Sequence, residues 1–245
     1  LRYPDACNQA LQFILNKEVR TPNDLLGLSY VKEVVHNQYP ISMHCIKRTN
    51  DYHAKDIQSI SSATSLRIAL KLGKDVAHQL PGYNTYKDSH FFTLEEFYPY
   101  LKYLITFTPL EGLHMIEEGL DDRLYKVNQE TYNLEELINA LTSKRYTRSR
   151  IQRMLIHILL HNTKEEMKKA MDIDYIHILG LSASGQRYIK IAKKNTEYKI
   201  ITNITKHKHP ALDIEKRGAQ LLDLVNPGFF KETIKAIPYR KIDLK

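Results

Sequence analysis

Four hydroxyls and one guanidinium cluster in Ser61-Ser62-Ala63-Thr64-Ser65-Leu66-Arg67, where a loop runs into a helix. The first amides of a helix have no partner within it and carry partial positive charge, so such a start attracts anions. Hydroxyls add donors, and an arginine one to two turns in grips phosphate oxygens with two parallel bonds. The chemistry served is the holding of a phosphorylated ligand. The plainer alternative is a Ser/Thr cap with Arg67 in solvent. Two shorter pieces precede this stretch. Pro22-Asn23-Asp24-Leu25-Leu26-Gly27 puts polar groups at a helix start ahead of an apolar face. In Ile46-Lys47-Arg48-Thr49-Asn50-Asp51-Tyr52-His53, two cations leave the end of an expected strand. Ligands of open α/β sheets bind beyond the carboxyl ends of strands, which sets Arg48 near the same phosphate or ribose.

A second cluster has five cations and a tyrosine within ten residues: Lys144, Arg145, Tyr146, Arg148, Arg150 and Arg153. Cations at that density suit a phosphate backbone, and Tyr146 could stack on an exposed base. On one continuous helix Lys144, Arg148 and Gln152 would share a face, as would Arg145, Ser149 and Arg153. A solvated helix face is the competing reading, as is pairing of Arg150 or Arg153 with Asp121 or Asp122. A third group, Gly185-Gln186-Arg187-Tyr188-Ile189-Lys190, lies among Lys193, Lys194, Lys206, Lys208, Lys216 and Arg217. It reads equally as a phosphate-binding helix start and as a basic surface. Glu117, Glu118, Asp121 and Asp122 are spaced for paired carboxylate chemistry; a solvated face or an ion pair with Arg123 accounts for them more simply.

The elements that must carry these groups follow from periodicity and caps. Ala6, Ala10, Leu11, Ile14 and Leu15 mark a helix in Pro4–Val19. Thr21 caps the next, with Pro22 at its first position. Tyr39–Ile46 alternates as a strand, and a helix runs from Ser61 to about Leu72. Beyond a hinge-like passage from Gly73 to about Thr93, helices are expected at Leu94–Phe107, Leu110–Val127, Leu134–Ala140 and Arg148–His161. Strands at Tyr175–Leu181 and Lys199–Ile204 enclose a helix at Gly185–Lys194, and a final helix covers Ile214–Val225. The fold class is therefore α/β plus α. Residues 1–75 read as the end of a Rossmann-like nucleotidyltransferase domain, and 76–245 as a mostly helical region with a small α/β tail.

With 245 residues the chain is long enough for a full core, and its formal net charge of +8 favours polyanionic partners. The sequence begins with Leu1 rather than Met, so it reads as a fragment or a processed product, and its first residues show no basic, then apolar, leader. No apolar run approaches the ~20 residues a membrane span needs. Two cysteines, Cys7 and Cys45, make no disulfide scaffold and point to a reducing, cytoplasmic setting. The eleven histidines form no metal-ligand spacing, and His207 and His209 flank Lys208 in what reads as a solvated basic stretch.

Taken together, PNDLLGLSYVK (Pro22–Lys32), IKR with its following Tyr-His (Ile46–His53), SSATSLR (Ser61–Arg67), EGLDDRL ending at Leu124, KRYTRSRIQR (Lys144–Arg153) and GQRYIK (Gly185–Lys190) resemble the tRNA-Met cytidine acetate ligases. The resemblance covers essentially the whole chain. It implies a nucleotidyltransferase-like, ATP-dependent ligase that forms acetyl-adenylate and passes acetyl to the wobble cytidine of elongator tRNA-Met. It further implies ATP-binding roles for Asn23, Arg48, Thr49, Ser61, Ser62, Thr64 and Arg67, tRNA contact by the basic clusters including Arg187 and Lys190, and Mg²⁺ with the ATP. The family's amino-terminal His-x-Gly-His motif occurs nowhere in this sequence. These 245 residues are thus expected to be inactive alone. Two readings stand beside this one: a non-catalytic RNA-binding module, and a nucleotidyltransferase acting on a small molecule.

Overall fold

The computed structural model describes residues 3–19, 21–47, 56–86, 91–117 and 119–234. The chain divides into two compact units, Leu1–Phe92 and Thr93–Lys245.

In the first unit, helices α1 (Tyr3–Leu15), α2 (Pro22–His36) and α3 (Ala63–Lys71) are followed by the single turn α4 (Tyr83–Tyr86). Two of the starts form as their caps dictate. The Thr21 Oγ1 accepts the Asp24 N–H at 3.1 Å, and the Ser62 Oγ accepts that of Ser65 at 3.1 Å. Beyond α3 the chain turns at Gly73, whose φ of +66° suits a residue without Cβ. The expected strand over Tyr39–Ile46 does not form. Among the described residues no strand lies alongside it, and a strand exists only where a neighbour takes up its amides and carbonyls. Its Ile41 and Ile46 are exposed, as are Phe13, Ile14, Leu26 and Val35 of α1 and α2. Only Ser62, Ser65, Ala69 and Val76 are buried among this unit's described side chains.

The second unit has a full core. A 3₁₀ turn at Leu94–Phe97, boxed by Thr93 and Glu96, leads into α5 (Tyr98–Phe107). Helices α6 (Leu120–Glu130), α7 (Leu134–Leu141) and α8 (Arg148–Leu159) complete a bundle. Leu101, Ile105, Leu124, Leu137, Ile151 and Leu155 are fully buried in its centre. The helix expected over Leu110–Val127 forms only in its second half. Gly112 and Gly119 sit at φ +80° and +76°, incompatible with a continuous right-handed helix. The turns between them bond instead to the stretch after α8. The His114 N–H donates to the Asn162 carbonyl at 2.8 Å, and the Lys164 N–H to that of Gly112 at 2.9 Å.

Helix α9 (Lys164–Ala170), which the apolar spacing does not announce, precedes the α/β tail. There β1 (Tyr175–His177) pairs in parallel with β2 (Lys199–Ile201), Ile176 opposite Ile200, across α10 (Ala183–Ala192). Helices α11 (Pro210–Asp223) and α12 (Phe229–Ile234) build a second small core on Ile204, Leu212, Ala219 and Ile234. His207 and His209 are buried rather than solvated. The His209 Nδ1 accepts the Ala211 N–H at 3.1 Å, capping α11, so its Nε2–H donates to the Asp172 carbonyl at 2.8 Å. The His207 Nε2 lies 2.9 Å from the Asp174 carboxylate.

His157, near the end of α8, stands edge-on to His114 with ring centres 4.6 Å apart, and its Nδ1 accepts from the Asn162 amide at 3.0 Å. Burial, then the neighbouring His114 and Arg153, hold its pKa below the ordinary 6.5. As pH falls through 6.5 the unfolded chain therefore takes a proton that the folded chain refuses, and stability drops. Denaturant melts between pH 7.5 and 5 should show that loss, and the loss should be smaller in His157→Gln.

Candidate functional site

The expected phosphate-binding residues meet at the start of α3. Ser62 is buried, and its hydroxyl is spent on the cap and on the Ser65 hydroxyl 3.2 Å away. Ser61 is tied to the preceding loop: its Oγ accepts the Gln58 N–H at 3.0 Å, and its own N–H donates to the Gln79 Oε1 at 2.7 Å. The Gln79 amide also donates to the Gln58 carbonyl at 2.8 Å, so Gln79 clamps the loop onto the helix start. Sequence reasoning misses Gln79, because nothing local distinguishes a glutamine that closes a loop 18 residues away. Thr64 and Arg67 remain exposed, three positions apart on one helix face. The amides of Ala63 and Thr64 have no acceptor within the helix, by its geometry. A polyanion therefore finds two amides, one hydroxyl and one guanidinium here, while Ser61 and Ser62 hold the frame.

Asn23 stands exposed at the start of α2, and among the described residues no hydrogen bond joins it to the α3 start. Arg48 and Thr49 lie outside the described residues.

The second basic cluster is less free than its composition implies. Lys144, Arg145 and Tyr146 precede the helix, which begins at Arg148 after the Thr147 cap, so the expected shared faces do not arise. Tyr146 is only 8% exposed and packs into the helical core, unavailable to an unpaired base. Its hydroxyl donates to the Glu117 carboxylate at 3.2 Å. Arg150 and Arg145 bind the same carboxylate, and both guanidiniums stand 5.3 Å from the Tyr146 ring centre. Partial burial opposes the Glu117 charge, but Arg150 first, then Tyr146 and Arg145, outweigh it and hold its pKa below the usual carboxylate value. Arg148 forms a two-bond fork with Glu135 at 2.8 and 2.6 Å, and this bonding draws the Glu135 pKa down. Arg150 therefore pairs with Glu117, not with Asp121 or Asp122, and Glu117 is a shared acceptor rather than part of a solvated face. Arg123 donates to the Ala140 carbonyl at 2.6 Å. Arg153 is exposed, its Nε donating to the Ser149 carbonyl at 3.3 Å.

In the third cluster Arg187 and Lys190 are exposed on α10. Lys216 pairs with Asp213 at 2.9 Å, and Arg217 bridges Glu166 and Asn162 at 2.6 and 2.8 Å. Among the described residues no three His, Cys, Asp or Glu side chains converge as metal ligands. No helix there is long and apolar enough to cross a membrane.

Known proteins resemble this chain along most of its length. The tRNA(Met) cytidine acetate ligase of Geobacillus sp. (strain WCH70) is 35% identical over 239 residues, 89% of this chain and 59% of the relative. That of Bacillus subtilis (strain 168) is 31% identical over 248 residues, 91% of this chain and 59% of the relative. The chain thus spans about three-fifths of the length of these curated relatives. The crystal structure of apo Thermotoga maritima TmcAL superposes with a TM-score of 0.75 at 20% identity, covering 97% of this chain and 66% of that one. The same protein bound with alpha-thio ATP gives 0.73 at 22% identity, covering 98% and 67%. The fold is thus that of TmcAL, mostly helical with one small parallel sheet among the described residues. Residues 1–235 match the HIGH Nucleotidyl Transferase family, and on that match the chain belongs to it.

Proposed function

We propose that this chain is part of an ATP-dependent ligase that acetylates the wobble cytidine of elongator tRNA-Met. The observation carrying the reading is similarity over about nine-tenths of the chain to proteins named tRNA(Met) cytidine acetate ligase. In the first step an acetate oxygen attacks the α-phosphorus of ATP, the bond to pyrophosphate breaks, and acetyl-adenylate forms. In the second, the exocyclic amine of cytidine attacks the acetyl carbon, AMP leaves, and the amine gives up a proton. Such chemistry is mostly positioning and charge stabilisation. A tRNA-modifying ligase of this kind works in the cytoplasm, where its tRNA is.

The α3 start is the proposed seat of the β- and γ-phosphates, with the Ala63 and Thr64 amides, the Thr64 hydroxyl and Arg67 as donors. Ser61 and Ser62 support it, and Asn23, Arg48 and Thr49 complete the nucleotide site. Residues 1–75 then end a Rossmann-like domain, and 76–245 serve the RNA. The exposed apolar side chains of α1, α2 and Tyr39–Ile46 suit burial against the remainder of that domain. The sequence contains no His-x-Gly-His motif, so these residues alone should hold ligands without turning over. Mg²⁺ is expected as the counter-ion of the triphosphate. Among the described residues no three carboxylate, imidazole or thiol side chains converge to hold it, so the triphosphate oxygens would carry the ion.

The ion pairs of Arg145, Arg148 and Arg150 are the observation favouring the small-molecule reading, since a paired cation is not yet an RNA contact. They are partly exposed, however, and exposed pairs contribute little to stability, so a phosphate array can displace the carboxylates.

Two measurements test these assignments. In the full protein, Arg67→Ala should weaken ATP binding about tenfold or more with an unchanged melting temperature, whereas Ser62→Ala should cost about 1 kcal/mol of stability through removal of the cap. Equal ATP affinity in Arg67→Ala would sink the phosphate assignment. For RNA, Glu117→Gln should tighten tRNA binding at low salt by freeing Arg145 and Arg150. Arg148→Ala/Arg150→Ala should reduce the salt slope by roughly one for each phosphate no longer neutralised. If neither change moves tRNA affinity, the cluster is structural and the small-molecule reading leads.

A further inference from the structure

The β1–α10–β2 tail contains a cleft that the proposed nucleotide site does not use. The chain leaving β1 passes through Ile178, Leu179, Gly180 and Leu181 before Ser182 caps α10, its Oγ accepting the Gly185 N–H at 3.1 Å. Between this loop and the first turns of α10 lies an open, mostly apolar cleft of about 340 Å³, lined by Ile178, Gly180, Leu181, Ser182, Tyr188 and Ile189. Its position is the carboxyl end of a parallel strand, where ligands of α/β units bind. The volume lies at the small end of ligand sites. Tyr188 on its wall is 69% exposed, and among the described residues its hydroxyl has no hydrogen-bond partner. Helix α10 fully buries none of its side chains.

Charge singles out the occupant. No Asp or Glu occurs between Asp174 and Glu197, while Arg187, Lys190, Lys193 and Lys194 all do. Arg187 and Lys190 stand three positions apart on α10, either side of Tyr188 in sequence, and Lys194 follows just past the end of that helix at Ala192. None of the three forms an ion pair among the described residues, unlike Arg145, Arg148 and Arg150. Asp174 is engaged by His207 and Lys199. An exposed aromatic ring on an apolar cleft beside unpaired cations is the combination that receives an unstacked base and its phosphates.

We propose that the cleft between the β1–α10 loop and Tyr188 is a subsite for one unstacked nucleotide of the bound tRNA, its base against the Tyr188 ring and its flanking phosphates along Arg187, Lys190 and Lys194. This deepens the RNA-binding reading of the chain and rests on it.

The test titrates the full protein with unmodified elongator tRNA-Met transcript at several salt concentrations. Tyr188→Ala should weaken binding about tenfold without changing the salt slope, because stacking releases no counterions; Tyr188→Phe should bind like the wild type. Photocross-linking of thiouridine-substituted tRNA to the wild-type protein supplies a readout independent of any variant, and adducts at Tyr188 are expected. Unchanged affinity in Tyr188→Ala, or adducts only elsewhere, overturns the cleft while leaving the RNA reading intact. Competition by polyglutamate as strong as by single-stranded RNA overturns the nucleotide assignment in favour of an acidic peptide. Absence of tRNA binding by the wild type overturns both.

Discussion

The Glu117 carboxylate is the point at which the second unit's loops are tied together. It lies in the irregular stretch that precedes α6, and it receives Arg150 from the first turn of α8, Arg145 from the loop before, and the Tyr146 hydroxyl. Tyr146 in turn lies between the two guanidiniums and the bundle core. One acid thus fixes where two chain segments enter the bundle and how far the tyrosine sinks. Its pairs are too exposed to contribute much as isolated ion pairs. Their importance is geometric: several donors sharing one acceptor restrict each other's rotamers.

Electrostatics follow from the same hub. A row of five cations in the sequence becomes, in the fold, three arginines with local carboxylate partners and two cations, Lys144 and Arg153, without such partners among the described residues. The net charge of the chain is unchanged by this pairing, so long-range attraction of a polyanion survives. What changes is the short-range step. A phosphate competes with Glu117 or Glu135 for the paired arginines, and it does so best when several phosphates arrive together. Paired arginines therefore discriminate between an extended polyanion and a single small anion, which unpaired cations do not.

How far the sequence reveals these features depends on how local their causes are. The starts of α2 and α3 are legible because Thr21 and Ser62 cap through bonds spanning three residues. The strand expected at Tyr39–Ile46 fails, since alternation describes a segment's faces and not whether a neighbour is there to pair. The helix expected over Leu110–Val127 is too long because apolar spacing says nothing of a backbone turned left-handed at Gly112 and Gly119. Tyr146, His207 and His209 all sit among charged neighbours in sequence, which suggests solvent. Each is instead buried by a partner distant in sequence: Glu117 for the tyrosine, and Asp174 and Asp172 for the histidines. The candidate phosphate site is legible in its residue types, but not in the division of labour between them. A hydroxyl that caps and a hydroxyl that faces solvent look alike until the helix start is placed.

The two units differ in a way that constrains mechanism. The second encloses a continuous core and presents Arg148, Arg150, Arg153, Arg187 and Lys190 on helices. The first has its phosphate-suited helix start well framed by Ser61, Ser62 and Gln79, yet leaves the apolar faces of α1 and α2 uncovered. Large apolar side chains left exposed in this number suit burial against another surface. In the proposed ligase the framed α3 start is then one wall of a nucleotide site whose other walls arrive with whatever covers those faces. Such a division makes sense for an enzyme that must hold a reactive adenylate away from water. The donors can be set in advance on a stable helix start, while closure of the site depends on burial of the apolar surface around it.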